Sequence, residues 1–141
     1  MSRYITFTLM MLFALSPSMA IAQEELAEEA KPSSIYFEID PAFVLNYGNG
    51  TSGRLKFLRA ELTLRLDTAG SVISDVNQHM PVIRHAIIMY LSKQSSERIN
   101  DATQRDAIRL ELLDQVQQAL SSAGGSDGVQ DLLFNAFLVQ R

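Results

Sequence analysis

The sequence predicts an α+β fold, an antiparallel sheet with two helices packed on it, and three observations carry that expectation. Leu58, Ala60, Leu62, Leu64 and Leu66 alternate with Arg59, Glu61, Thr63, Arg65 and Asp67, the period of a strand with one face buried and one face wet. Val82, Ile83, Ala86, Ile87, Tyr90 and Leu91 recur at helical spacing, and so do Ile108, Leu112, Val116 and Leu120. A further β-prone run closes the sequence after the helices. The order strand, strand, helix, helix, strand places antiparallel strands in one layer and the helices on one of its faces.

Ahead of these elements stands Arg3, followed by the apolar "YITFTLMMLFALS", then Pro17 and an Ala20-x-Ala22 site. A short positive region, an apolar core and small residues at the end have the form of a signal peptide over residues 1–22, cleaved before Gln23. The alternative is an uncleaved membrane anchor, because Tyr4 to Ala22 carries no charge. With Arg3 held on the cytoplasmic side, both outcomes send the rest of the chain across the inner membrane. Residues 23–33, "QEELAEEAKPS", have the composition of a solvated acidic linker. The folded domain is expected over residues 34–141.

"SIYFEID" is strand-like, with Ile35, Phe37 and Ile39 on one face and Tyr36 and Glu38 on the other. Pro41 cannot donate to a ladder, so it marks an edge position or a bend before "AFVLNY" resumes the extended run. "GNGTSG" supplies a turn, which makes the next strand, residues 54–67, the second arm of a hairpin. "SVISDVNQHMPVIRHAIIMYLSK" is expected as one helix, kinked by Pro81 or carrying it in the first turn. A polar bridge leads to the second helix, residues 103–122, where Thr103 and Asp106 have capping-box spacing. Glycines in "SSAGGSDG" suit its C-cap. In the closing strand a strict alternation puts Leu132, Phe134, Ala136 and Leu138 on one face and Leu133, Phe137 and Val139 on the other. A strand apolar on both faces belongs in a sheet covered on both sides, or beside a partner.

Composition narrows the chemistry. Without cysteine among 141 residues, thiolate nucleophiles and Cys-type zinc clusters are excluded. Net charge of -4 argues against nucleic acid. His79 and His85 are six apart around Pro81 and do not share a helical face, so a metal site is not expected. "GNGTSG" lacks the Lys and the strand-to-helix placement of a phosphate loop. No catalytic residue, cofactor or metal is predicted. What stands out instead is apolar excess. Ile88 and Met89 lie beside the core stripe of the first helix, one turn after Arg84 and His85, which makes these four residues a candidate protein interface.

The succession "YFEIDPAFVLN", "GRLKFLRAELTL", "MPVIRHAIIMYLS", "RDAIRLELLDQVQQAL" and "LLFNAFLVQ" resembles the flagellar basal-body-associated FliL family over nearly all of residues 34–141. The residues that carry the likeness, read as mainly structural, are Pro41, Phe43, Asn46, Pro81, Phe134, Phe137 and Gln140, with Arg84 after Pro81. The resemblance implies a periplasmic domain similar to the stomatin/prohibitin type, held by a membrane helix and a linker and able to assemble into rings. It also implies partners: the basal body, the flagellar stator proteins, further copies of the chain, or an anchored paralogue. The implied role is non-enzymatic support of stator function, motility and chemotaxis at the inner membrane. Here the start of the chain departs from the family, with a signal-like segment in place of a cytoplasmic stretch and a clear spanning helix. The alternative is a periplasmic adaptor of the same fold in a non-flagellar sensing or secretion assembly.

Overall fold

The computed structural model describes residues 34–48, 56–68 and 70–140. They form an α+β domain in which one antiparallel sheet carries helices on a single face, as expected. The strands are β1 (Ser34–Glu38), β2 (Phe43–Asn46), β3 (Phe57–Asp67) and β4 (Val129–Gln140). The helices are α1 (Val72–Gln78), α2 (Met80–Ser92), α3 (Ser96–Asn100) and α4 (Arg105–Ser122).

β3 is the spine of the sheet. Its even-numbered residues from Leu58 to Leu66 are all fully buried, as the alternation requires. β1 and β2 lie end to end along one side of it: Glu38 pairs with Thr63 and Phe43 with Ala60. Pro41, after a cis peptide bond, stands between the two, at the edge position its missing N–H allows. The "GNGTSG" turn lies, beyond Gly48, outside the described residues; the β2–β3 pairing is that of a hairpin.

β4 runs along the other side of β3, and here the expected alternation fails. The pairing passes from Glu61–Ala136 to Leu62–Phe134, and from Arg65–Asp131 to Leu66–Val129. Asn135 and Gln130 are therefore extra residues, each a β-bulge. A one-residue insertion reverses every side chain beyond it. Phe134 and Phe137, expected on opposite faces, both point into the core with Leu132 and Val139. Leu133, Ala136 and Leu138 share the outer face. Nor is β4 a central strand covered on both sides; among the described residues it pairs with β3 alone. The Asn135 amide donates to Thr63 Oγ1 at 2.8 Å and holds the bulge against the sheet.

The helical layer differs from the expectation in three places. Residues 71–93 form two helices that meet at His79, whose carbonyl accepts from the N–H groups of Val82 and Ile83. Pro81 sits in the first turn of α2, where its missing N–H costs nothing. The polar bridge contains α3, capped by Ser95, and a 3₁₀ turn, Ala102–Gln104. Asp101 caps that turn through Thr103 N–H and Oγ1, so Thr103 is not the cap of α4. Asp106 binds Arg109 instead. The α4 stripe Ile108, Leu112, Val116 and Leu120 is buried as read. Gly124 ends the helix at φ +84°, a conformation glycine adopts without strain.

The core is one cluster between the sheet and the two long helices, α2 and α4. Side-chain bonds tie the layers at their margins. Arg109 reaches from α4 to the Asp131 carboxylate on β4. Arg98 of α3 and the Tyr90 hydroxyl of α2 both bind the Glu111 carboxylate of α4.

Candidate functional site

α2 is the element that carries the predicted interface. Ile83, Ile87 and Leu91 are fully buried against the sheet. At 100° per residue, the side opposite them carries Val82, His85 and Met89, with Ile88 at its flank. Val82 is 42% exposed, Ile88 40% and Met89 43%, so these apolar side chains form a strip facing away from the sheet. Val82, expected in the core stripe, belongs to this strip because the buried face of α2 is centred on Ile87. Arg84 is turned the other way: its guanidinium lies 4.3 Å over the ring of buried Phe43. The structure thus brings His85, Ile88 and Met89 together on the surface and places Arg84 between α2 and β2.

Phe43, Asn46, Phe134, Phe137 and Gln140 lie on β2 and β4. Phe43 is 2% exposed. Phe134 and Phe137 meet edge to face, with ring centroids 4.9 Å apart, and the Arg105 guanidinium lies 4.8 Å over Phe137. Asn46 and Gln140 both pair with Phe57, from opposite sides, at one end of the sheet.

A second apolar surface lies on the uncovered face of the sheet and was missed from sequence. Val44 (68% exposed) and Leu138 (60%) flank Arg59 on the two neighbouring strands, and Phe57 lies two residues along β3. The signal for Val44 and Phe57 was present: both are apolar on the wet side of an alternating strand. Leu138 could not be placed without the bulge at Asn135. Arg59 lies between Val44 and Leu138 and is paired with Glu61.

The charged clusters are braces. Hydrogen bonds from Arg98 and then Tyr90 hold the Glu111 carboxyl below its ordinary value of 4.5. Burial, then the Glu111 carboxylate, pushes the Tyr90 hydroxyl up. Among the described residues, no three His, Asp or Glu side chains gather where they could hold a metal ion. His79 stands at the α1–α2 junction and His85 on the exposed strip. No helix among the described residues is long and apolar enough to cross a membrane.

Fold and surface together define a small two-layer α+β domain with exposed apolar side chains on α2 and on the open face of the sheet. The family model for "Flagellar basal body-associated protein FliL" matches residues 36–140, from β1 to the last residue of β4. The chain belongs to the FliL family. It is similar to "Flagellar protein FliL" of Aquifex aeolicus (strain VF5), 29% identical over 107 residues, which cover 75% of this chain and 62% of that protein. The match thus spans less than two thirds of the relative's length.

Proposed function

We propose that this chain is a non-enzymatic accessory of the flagellar basal body, a scaffold that supports the stator units and through them motility and chemotaxis. The observation that carries the reading is the extent of the family match, which runs from within β1 to the end of β4. The α2 strip gives the scaffold a means of contact. Apolar side chains left in water are stabilised by covering them, and Val82, Ile88 and Met89 are held on a rigid helix.

In this reading residues 1–22 export the chain, as a cleaved signal peptide or as an anchor, and residues 23–33 link it to the domain. The domain then works in the periplasm beside the inner membrane, as a relative of the stomatin/prohibitin type. It packs against further copies, or against an anchored paralogue, around the stator. Deletion of the gene, scored for swimming and swarming with the tagged protein imaged, tests the role. The expected result is reduced motility and foci at flagellar bases. Normal swimming and swarming with the protein spread over the envelope would instead favour an adaptor outside the flagellum.

A further inference from the structure

β4 is the last strand on its side of the sheet, and the edge it turns away from β3 is open over its second half. We propose that this edge, from Phe134 to Gln140, takes an extended segment of a different protein as a fifth strand, with a carboxylate of that segment held on Arg105. The contact lies apart from the α2 strip and does not depend on the scaffold reading.

The register fixes which backbone groups are free. The Asp67 N–H donates to the Gly128 carbonyl, just ahead of β4, and the Tyr47 N–H donates to the Lys56 carbonyl on the other side of β3. The odd-numbered residues of β3 therefore turn their backbone groups to β4 and the even-numbered ones turn theirs away, as an antiparallel ladder requires. Leu133, Ala136, Leu138 and Gln140 stand opposite odd-numbered residues and bond β3. Leu132, Phe134, Phe137 and Val139 stand opposite even-numbered ones, so their N–H and C=O groups point outward. At the start of the strand α4 covers this edge. Gln117 donates to the Val129 carbonyl and Arg109 to the Leu132 carbonyl, while the Asp131 carboxylate accepts from the Leu132 N–H. From Phe134 on, no side chain among the described residues does the same.

Open edges are ordinarily blunted by charge or proline, yet "FNAFLVQ", residues 134–140, contains neither. The opposite edge of the sheet is divided at Pro41 into β1 and β2, of five and four residues, so β4 offers a partner strand the longer run. Beside the open edge lies a recess of about 400 Å³, lined by Ala102, Arg105, Asp106, Arg109, Leu133 and Phe134. Arg59, Arg98 and Arg109 are each paired with a carboxylate. Among the described residues Arg105 is not, and its Nε is enclosed without a hydrogen-bond partner. The Arg105 guanidinium lies over Phe137, on the core side of the sheet. A guest residue opposite Phe137 in an antiparallel pairing exchanges both backbone bonds with it and puts its side chain on that same side, toward Arg105. Aspartate or glutamate there gives Arg105 the partner it lacks. In strand addition the backbone bonds supply affinity and the alternate side chains select the partner. Two copies joined edge to edge about Phe137 would set two Arg105 guanidiniums together, so the guest is a different chain.

The test titrates the full chain, labelled with nitrogen-15, with a short synthetic peptide of alternating threonine and valine in which aspartate replaces the central valine. Amide NMR spectra are expected to show saturable shifts centred on Phe134, Phe137 and Val139, with slowed hydrogen exchange at Phe137 and Val139. Asparagine for the peptide's aspartate, or Arg105→Gln in the protein, should each weaken binding about tenfold. The two together should weaken it no further, because they remove one and the same contact. The peptide N-methylated at its aspartate and valines cannot bond the edge and should not bind, a block that leaves the protein untouched. Val139→Pro removes an outward N–H and no bond to β3, and should act likewise, its fold checked by circular dichroism and melting. Unmoved amides at millimolar peptide, or equal binding of the N-methylated peptide, would overturn the proposal. Equal affinity for the aspartate and asparagine peptides would refute the part given to Arg105. Protection of the same amides that grows with protein concentration and needs no peptide would assign the edge to a second copy and overturn the proposal as well.

Discussion

Leu64 and Phe134 show how much one side chain's position decides. Leu64 is fully buried in the central strand, and Leu64→Ala should cost about 3–4 kcal/mol, because the packed surroundings cannot close the void. Phe134 has more atoms to lose but is only partly buried, so Phe134→Ala should cost less, about 2–3 kcal/mol. Urea unfolding of the two variants checks the order. Glu111 makes a pH-dependent contribution. Its carboxyl is lowered in the fold by the bonds from Arg98 and Tyr90, so its stabilisation is present above pH 4.5 and fades as pH falls through the lower, folded value. Glu111→Gln should therefore melt below the parent at neutral pH, and the gap should close in acid. The gap is small, because the Glu111 side chain is 51% exposed and solvent screens the pair. A gap that widens on acidification would contradict the assignment.

β4 is where reading by period and folding by register part. Leu132, Phe134 and Phe137 are all apolar and β-prone, and nothing in their order marks Asn135 as an extra residue. The bulge exists because Leu62 and Ala60 must be covered by Phe134 and Phe137 together, a demand set by the opposite strand. Deleting Asn135 should remove the bulge and leave a regular ladder in which Phe134, Phe137 and Val139 still face the core and Ala136 and Leu138 still face out, because Ala136 already pairs with Glu61 next to the Leu62–Phe134 pair. The expected loss is about 1 kcal/mol, that of the Asn135–Thr63 hydrogen bond, read in the urea midpoint; a loss of about 3 kcal/mol or more, as turning Phe137 and Val139 out to water would cost, would refute the bulge. β3 was plain from sequence because its two faces differ in chemistry at every step, and the α4 stripe for the same reason at its own period. α3 was not, since five residues with Ile99 alone buried carry no period. The split at His79 also escaped, because apolar residues continue on both sides of it. Of the candidate site, Ile88 and Met89 could be read from their angle to the core stripe. Val82 could not, because which of two adjacent residues faces inward depends on how α2 is rotated on the sheet.

At the scale of the whole molecule, a sheet covered on one face by helices leaves two opposed surfaces, and both are partly apolar. A domain that worked alone would gain nothing from either. In the proposed reading, the chain ahead of the domain sets where it works. Mature protein is expected to begin at Gln23, which N-terminal sequencing of the periplasmic fraction checks; intact Met1 or Ser2 in washed membranes would support an anchor in its place. The scaffold role itself depends on the α2 strip being used for contact. Swimming and localisation of the folded Met89→Asp and Ile88→Asp proteins, expressed in the deletion strain, measure that dependence. Fold should be intact by circular dichroism and melting, because both side chains already stand in water. Reduced motility and loss of foci at flagellar bases are expected. Parent-like swimming and parent-like foci in both variants would contradict it.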